Sequence, residues 1–284
     1  MSASGILLIS CPDKRGIVAS VADFIYQRGG NVVHADQHRD DDVGSFFTRI
    51  EWSSGGSQRD VLSFADEFKI LAERFSMTWR LEDSSRSPRV ALYVSKYQHC
   101  LLDLLHRQQI GELHCSIEYV LSNHPDAEEI ARFFHVPFYH VPFSAQSKEK
   151  AEAEQLRLAA LHNIDLVVLA RYMQVLSPVF VAHFPARIIN VHHSFLPAFT
   201  GAKPHHAAYE RGVKLIGATS HYVTDALDEG PIIEQDVARI SHRDQVEDLV
   251  QKGRDLEKIV LSRAVRWHLQ HRILTYGNKT VVFD

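Results

Sequence analysis

The stretch KEKAEAEQLRLAALHNIDLVVLA, residues 148–170, decides the fold. Residues 148–163 are rich in Ala, Glu, Leu and Lys, all good helix formers, and read as a helix. Residues 165–170 are almost continuously apolar and read as a strand. A strand without polar alternation is covered on both faces, as in a parallel sheet between helices. The same rhythm continues outward. Residues 90–95, 115–121 and 138–141 read as strands, and 100–107 and 127–134 as helices. Farther on, 187–191, 214–223 and 231–239 read as strands, and 246–271 as a long amphipathic helix. The expected class over 89–284 is α/β, Rossmann-like, with a mostly parallel sheet. Its functional residues should collect at the carboxyl ends of the strands.

Residues 1–83 follow another order. Strand signals at 5–10, 31–39, 45–52 and 77–81 alternate with helical spacing at 17–26 and 61–75. Cys-Pro-Asp-Lys-Arg-Gly (11–16) reads as a turn, Gly29-Gly30 as a helix end, and Asp40-Asp41-Asp42 with nearby Gly44 as a hairpin turn. Residues 53–58 read as a loop. The result is β-α-β-β-α-β, a ferredoxin-like α+β domain. Residues 84–88, Ser-Ser-Arg-Ser-Pro, read as the linker. An isolated sheet of this order exposes an edge and an apolar face, so a homo-oligomer is expected.

Composition narrows the function classes. Of 284 residues, 45% are hydrophobic and 23% charged, which excludes a disordered chain. The net charge of −4 argues against nucleic acid as a partner. No apolar run is long enough for a membrane span, and the start, lacking a cationic region, reads as a strand rather than a leader. Three cysteines, odd in number and scattered, make disulfides improbable and point to the cytoplasm. The 18 histidines make a metal site worth testing.

The densest chemical signal is Ile188-Ile-Asn-Val-His-His-Ser-Phe-Leu-Pro197. Asn190 and His192, at alternate strand positions, point the same way, and His193 is expected to point elsewhere while the strand geometry lasts. A long polar loop, 198–206, follows with Gly201 and Pro204. A second signal runs from Gly217 through His221, Asp225 and Asp228 into Gly230-Pro231. An amide, an imidazole and a carboxylate on loops after strands suit acyl transfer or hydrolysis. Each residue alone also has an ordinary reading: a satisfied strand-end histidine, a turn asparagine, a solvated loop carboxylate.

Asn190-Val-His-His-Ser-Phe-Leu-Pro197, the stretch 217–230 and Leu169-Ala-Arg-Tyr-Met-Gln-Val-Leu-Ser177 resemble, in order, the formyltransferase family that uses 10-formyltetrahydrofolate. The resemblance implies a catalytic set of Asn190, His192 and Asp228. It implies a folate cleft between Met173, Gln174, Val175 and Leu176 on one side and Val223, Thr224 and Asp225 on the other. His221 also matches a family position, as a structural or a catalytic residue. Pro12-Asp13-Lys14-Arg15-Gly16-Ile17 resembles an ACT domain. An ACT module ahead of a formyltransferase-like domain is the arrangement of the family's hydrolytic branch. That implies cleavage of 10-formyltetrahydrofolate, the substrate, to formate and tetrahydrofolate, with no cofactor. The segment Val94-Ser-Lys-Tyr-Gln-His-Cys100 has no glycine where the glycinamide ribonucleotide branch cradles a phosphate, which favours water as nucleophile.

Formyl transfer to an amine of the glycinamide ribonucleotide type is the alternative. A metal-dependent hydrolase built on His192, His193, His205, His206, Asp225 and Asp228 is a further one. No HxH, HExxH or paired-cysteine spacing occurs, so no metal is expected. A folate or amino-acid sensor without catalysis is the last. In the ACT unit, a small amino acid is expected near Asp13, Arg15, Gly16 and Asn31; the bland alternative is that the unit only drives oligomerisation.

Overall fold

A computed structural model describes residues 4–53, 61–144, 146–198 and 204–284. The chain divides into two compact units. One comprises Met1–Ser87, Gln270–Tyr276 and Val281–Asp284, and the other Pro88–Leu269 with Gly277–Thr280. Residues 54–58 of the expected first loop, and 199–203 of the 198–206 loop with Gly201, lie outside the described residues. Among the described residues no helix is long and apolar enough to cross a membrane.

In the first unit, β1 (Ser4–Pro12), α1 (Ile17–Gln27), β2 (Asn31–Asp40), β3 (Ser45–Ser53), α2 (Val61–Phe75) and β4 (Thr78–Asp83) follow the expected order. The sheet is antiparallel, in the order β2-β3-β1-β4. Strand alternation sorts its core. Leu7, Ile9 and Cys11 share a cluster with Ile17, Val21 and Ile25 of α1 and with Phe64, Phe68 and Phe75 of α2. Trp52 of β3 stacks on Phe64 at 4.8 Å.

The second unit runs β5 (Arg89–Val94), α3 (His99–Gln109), β6 (Ser116–Ser122), α4 (Glu128–Phe133), β7 (Phe138–His140), α5 (Lys148–Leu161), β8 (Leu166–Leu169), α6 (Pro178–Ala182), β9 (Ile188–His192), α7 (Pro204–Arg211), β10 (Leu215–Tyr222), β11 (Ile232–Arg239) and α8 (Val246–Leu269). The sheet order is β11-β10-β9-β8-β5-β6-β7. The pairs β9-β8, β8-β5, β5-β6 and β6-β7 are parallel, whereas β10 is antiparallel to both neighbours. The α/β class with a mostly parallel sheet therefore stands as expected. Chain direction across the sheet reverses between β5 and β8, and ligands of such sheets bind outside the strand ends at that switch. The short α6 was not foreseen. Its signal is local: the Ser177 side chain accepts from Phe180 N, and Pro178 occupies the first turn.

Residues 270–284, placed by sequence with the second unit, mostly group with the first. They form a hairpin of β12 (Ile273–Tyr276) and β13 (Lys279–Val282). Val281 and Phe283, with Leu274 and Tyr276, pack on Ile6, Leu8 and Phe47. Arg49 Nε donates to the His271 carbonyl at 3.0 Å, and the Tyr276 hydroxyl donates to Asp40 at 2.9 Å. The apolar face expected to be bare is thus covered in part by the chain's own end. The reason is alternation in β1, which places Ile6 and Leu8 opposite the helices and leaves them needing cover. Phe283 is only 2% exposed. Phe283→Ala should lower stability by about 3 kcal/mol, read as the urea unfolding midpoint of the full chain. An unmoved midpoint would contradict this packing.

Candidate active site

The site grows from two adjacent antiparallel strands. β9 carries Asn190 and His192 on one side, and β10 sets His221 directly across from Asn190. Asn190 Nδ2 lies 3.2 Å from His221 Nε2. His221 Nδ1–H donates to the Tyr222 carbonyl at 2.9 Å, which fixes the ring.

Beyond β10 the chain turns and returns as β11. Tyr222 N donates to Pro231 O at 2.9 Å. Gly230 sits so close to the Tyr222 carbonyl that a Cβ there would collide with it. This tight turn holds Asp228 in the left-handed region, at φ 57°. Its carboxylate bridges two rings: His192 Nδ1 at 3.1 Å from Oδ2, and His221 Nε2 at 3.5 Å from Oδ1. Hydrogen bonding to His192, then to His221, holds the Asp228 carboxyl well below the usual carboxylate range, against the opposing pull of burial. His192 Nε2 is buried and has no hydrogen-bond partner among the described residues.

Asn190, His192 and Asp228 all line one cleft of about 410 Å³. Met173, Gln174, Val175 and Leu176 line it, as do His221, Val223, Thr224 and Asp225. The 173–177 segment is pinned at both ends. Met173 N donates to Ser95 Oγ at 3.1 Å, and Ser177 N donates to buried Glu152 at 2.8 Å. Pinned backbone with Met173 and Val175 each half exposed offers apolar contact area to a ligand.

His193 departs from expectation. β9 ends at His192, so strand alternation no longer applies, and His193 lines the same cleft. The two rings stack at 5.0 Å, 22° apart. Burial, then the Arg171 guanidinium and His192, push the His193 pKa down to about 4. His205 is also lowered, by burial first, and its ring stands where a Cβ on Gly253 of α8 would lie.

Sequence reasoning gave no role to Arg171 or Glu257. Arg171, at φ 65°, follows β8, and its side chain is 9% exposed. Its Nε lies 3.3 Å from Glu257 Oε2, which also sits 2.7 Å from His99 Nε2. Burial would raise the Glu257 pKa, but His99 and Arg171 outweigh it and lower it. The only sequence signal was an arginine at the end of an apolar strand, and Glu257 looked like any polar residue of a long helix. Among the described residues one group has metal-ligand types within 4.8 Å of one another, His99, Cys100 and Glu257. Arg171 already neutralises its carboxylate, and it contains none of the histidines or aspartates weighed above.

In the ACT unit, Asp13 and Gly16 line an open pocket of about 360 Å³ with Ile17, Gln37 and Phe46. Arg15 and Asn31 are not among its lining residues; Asn31 opens β2 instead.

The depressed His193 pKa has a stability consequence. The unfolded chain takes up this proton near 6.5 and the folded protein only near 4. The contribution is therefore complete above 6.5 and drains away as pH falls to 4. His193→Gln should flatten the loss of stability across that window by roughly 3 kcal/mol in urea unfolding. Parallel pH profiles for the two proteins would contradict a buried neutral ring.

Residues 88–265 match the formyl transferase family, and residues 5–71 match the ACT domain. The formyltetrahydrofolate deformylase of Synechocystis is 55% identical over 98% of this chain and 97% of its own length. The crystal structure of a formyltetrahydrofolate deformylase from Pseudomonas syringae superposes with a TM-score of 0.97 at 50% identity, covering 100% of this chain and 95% of that one. A glycinamide ribonucleotide transformylase from Symbiobacterium toebii reaches a TM-score of 0.66 at 30% identity, over 70% of this chain and 95% of its own. Both modules occur here in the order found along the deformylases, over nearly the whole length of each. The chain belongs to the formyltetrahydrofolate deformylase family.

Proposed function

We propose that the protein hydrolyses 10-formyltetrahydrofolate to formate and tetrahydrofolate, with water as nucleophile. The observation that carries this reading is the convergence of Asn190, His192 and Asp228 on one cleft, in a chain of this family. Asp228 accepts from His192 Nδ1–H and leaves Nε2 facing the reaction. The Asp228–His192 pair takes a proton from water as its oxygen attacks the formyl carbon. The Asn190 amide donates to the developing oxyanion, a contact of the kind worth on the order of 3 kcal/mol of barrier. The C–N bond then breaks, and the proton passes to the departing folate nitrogen. His221 orients Asn190 and Asp228 together.

Folate would lie between the 173–176 and 223–225 segments, its pteridine on the main chain of 174–176. No metal or cofactor enters this route. The free, buried cysteines suit a reducing cytoplasm. The expected assay result is tetrahydrofolate and formate release, unchanged by glycinamide ribonucleotide and by prolonged EDTA. Dependence on the ribonucleotide would favour transfer, and loss with EDTA a metal hydrolase. Asn190→Ala, His192→Ala and Asp228→Ala should each lower kcat at least ~100-fold with the fold intact by circular dichroism. Near-normal kcat in any one would remove that residue from the mechanism.

For the ACT unit we propose a small amino-acid effector near Asp13, Arg15, Gly16 and Asn31, and a homo-oligomer. Asp13 and Gly16 line a cavity at the start of α1, where free backbone N–H groups suit a carboxylate. β2 is an edge strand exposed along most of its length, which suits pairing with a second copy. Calorimetric titration with a panel of amino acids should give heat for at least one, and Asp13→Ala should abolish it. A silent panel would leave oligomerisation as the unit's role.

A further inference from the structure

Hydrolysis of a formamide turns a neutral group into an anion. Water oxygen adds to the formyl carbon, the bond to nitrogen breaks, nitrogen gains a proton, and the acid released loses one. The product carboxylate appears in a cleft already lined by Asp225 and Asp228. Like charges at close range repel, so such a product needs a positive partner to be held or guided. Among the described residues that line the cleft, Arg171 is the one lysine or arginine.

Arg171 is built into this place. It follows β8 where the sheet's chain direction switches, and its carbonyl accepts from Ser95 N after β5 at 3.2 Å. A non-glycine residue in the left-handed region costs on the order of 1 kcal/mol, and such strain gathers at functional sites. Its side chain is about nine-tenths buried, and neither Nε, ion-paired with Glu257 at 3.3 Å, nor Nη1 has a hydrogen-bond partner among the described residues. His193 Nε2 is likewise buried and unpartnered. Unpaired buried donors are costly, and a ligand that accepts from them would remove that cost. His193 also lines the cleft, next to His192.

We propose that Arg171 and His193 form a subsite for a small monocarboxylate, the formate produced at the Asn190–His192–Asp228 centre. This rests on the hydrolytic reading above. Glu257, beside Arg171 Nε, decides the charge of the ligand. It leaves Nη1 for one anion and repels a dianion such as phosphate. A carboxylate accepts well from guanidinium N–H groups, and formate is the smallest one.

The test has two readouts. First, binding of isotopically labelled formate to the protein without folate, followed by NMR line broadening. Second, inhibition by added formate of tetrahydrofolate release, at constant ionic strength, with inorganic phosphate as a parallel arm. Formate should bind and inhibit, and phosphate should do so at least about tenfold more weakly. Arg171→Lys keeps the charge but loses the fork, and should weaken formate binding about tenfold. The pair Arg171→Gln with Glu257→Gln removes both buried charges at similar volume and should abolish binding, should the lysine variant fail to fold. His193→Asn gives an independent arm, with weaker formate binding expected. Formate binding unchanged in all folded variants would overturn the subsite, as would absent formate binding or phosphate binding equal to it. A protein that binds formate through Arg171 but releases no tetrahydrofolate would instead overturn the hydrolytic reading.

Discussion

One carboxylate ties the site together. Asp228 reaches His192 on β9 and His221 on β10 through a turn that only a glycine at 230 allows. The two rings belong to neighbouring strands of opposite direction, so their spacing is set by the sheet ladder rather than by flexible loops. The bridging carboxylate then fixes what each ring can offer. His192 keeps a buried Nε2 without a partner among the described residues, and His221 lies against the amide of Asn190. A carboxylate stabilised in its charged form by two imidazoles also keeps its charge across the working pH range.

The sheet topology explains why the cleft lies where it does. β5, β6 and β7 run to one side and β8 and β9 to the other, which opens a crevice at the strand ends. β10 breaks the parallel pattern and is what brings His221 and the Asp228 turn back against β9. Ser95 and Arg171, one after β5 and one after β8, are joined across the switch itself. The Asn190, His192 and Asp228 set and the Arg171 cation thus come from different strand ends of one sheet, and groups placed on regular elements are held more precisely than groups on loops.

The ACT unit obeys a different constraint. Its sheet has apolar residues on both faces, because β1 alternates Leu7 and Ile9 with Ile6 and Leu8. Two helices cover one face, and the chain's last residues cover part of the other. Among the described residues both edges, β2 and β4, stay unpaired, and Val32 and Val33 of β2 are exposed. An unpaired strand edge offers its backbone N–H and C=O groups for pairing.

Most of the element order and both fold types were legible in the sequence, as was the candidate set Asn190, His192 and Asp228, which the structure gathers on one cleft. Periodicity of apolar residues is a local property, and the motif stretches carry their chemistry in short runs of chain. Tertiary structure decided the rest. It turned His193 into the cleft, because the strand ends one residue earlier. It brought Glu257 of α8 beside Arg171 and His99, residues far apart along the chain. It also folded residues 281–284 onto the first unit. None of these has a local signature, because a buried ion pair, a strand end and a covered face are each made by a partner distant in sequence.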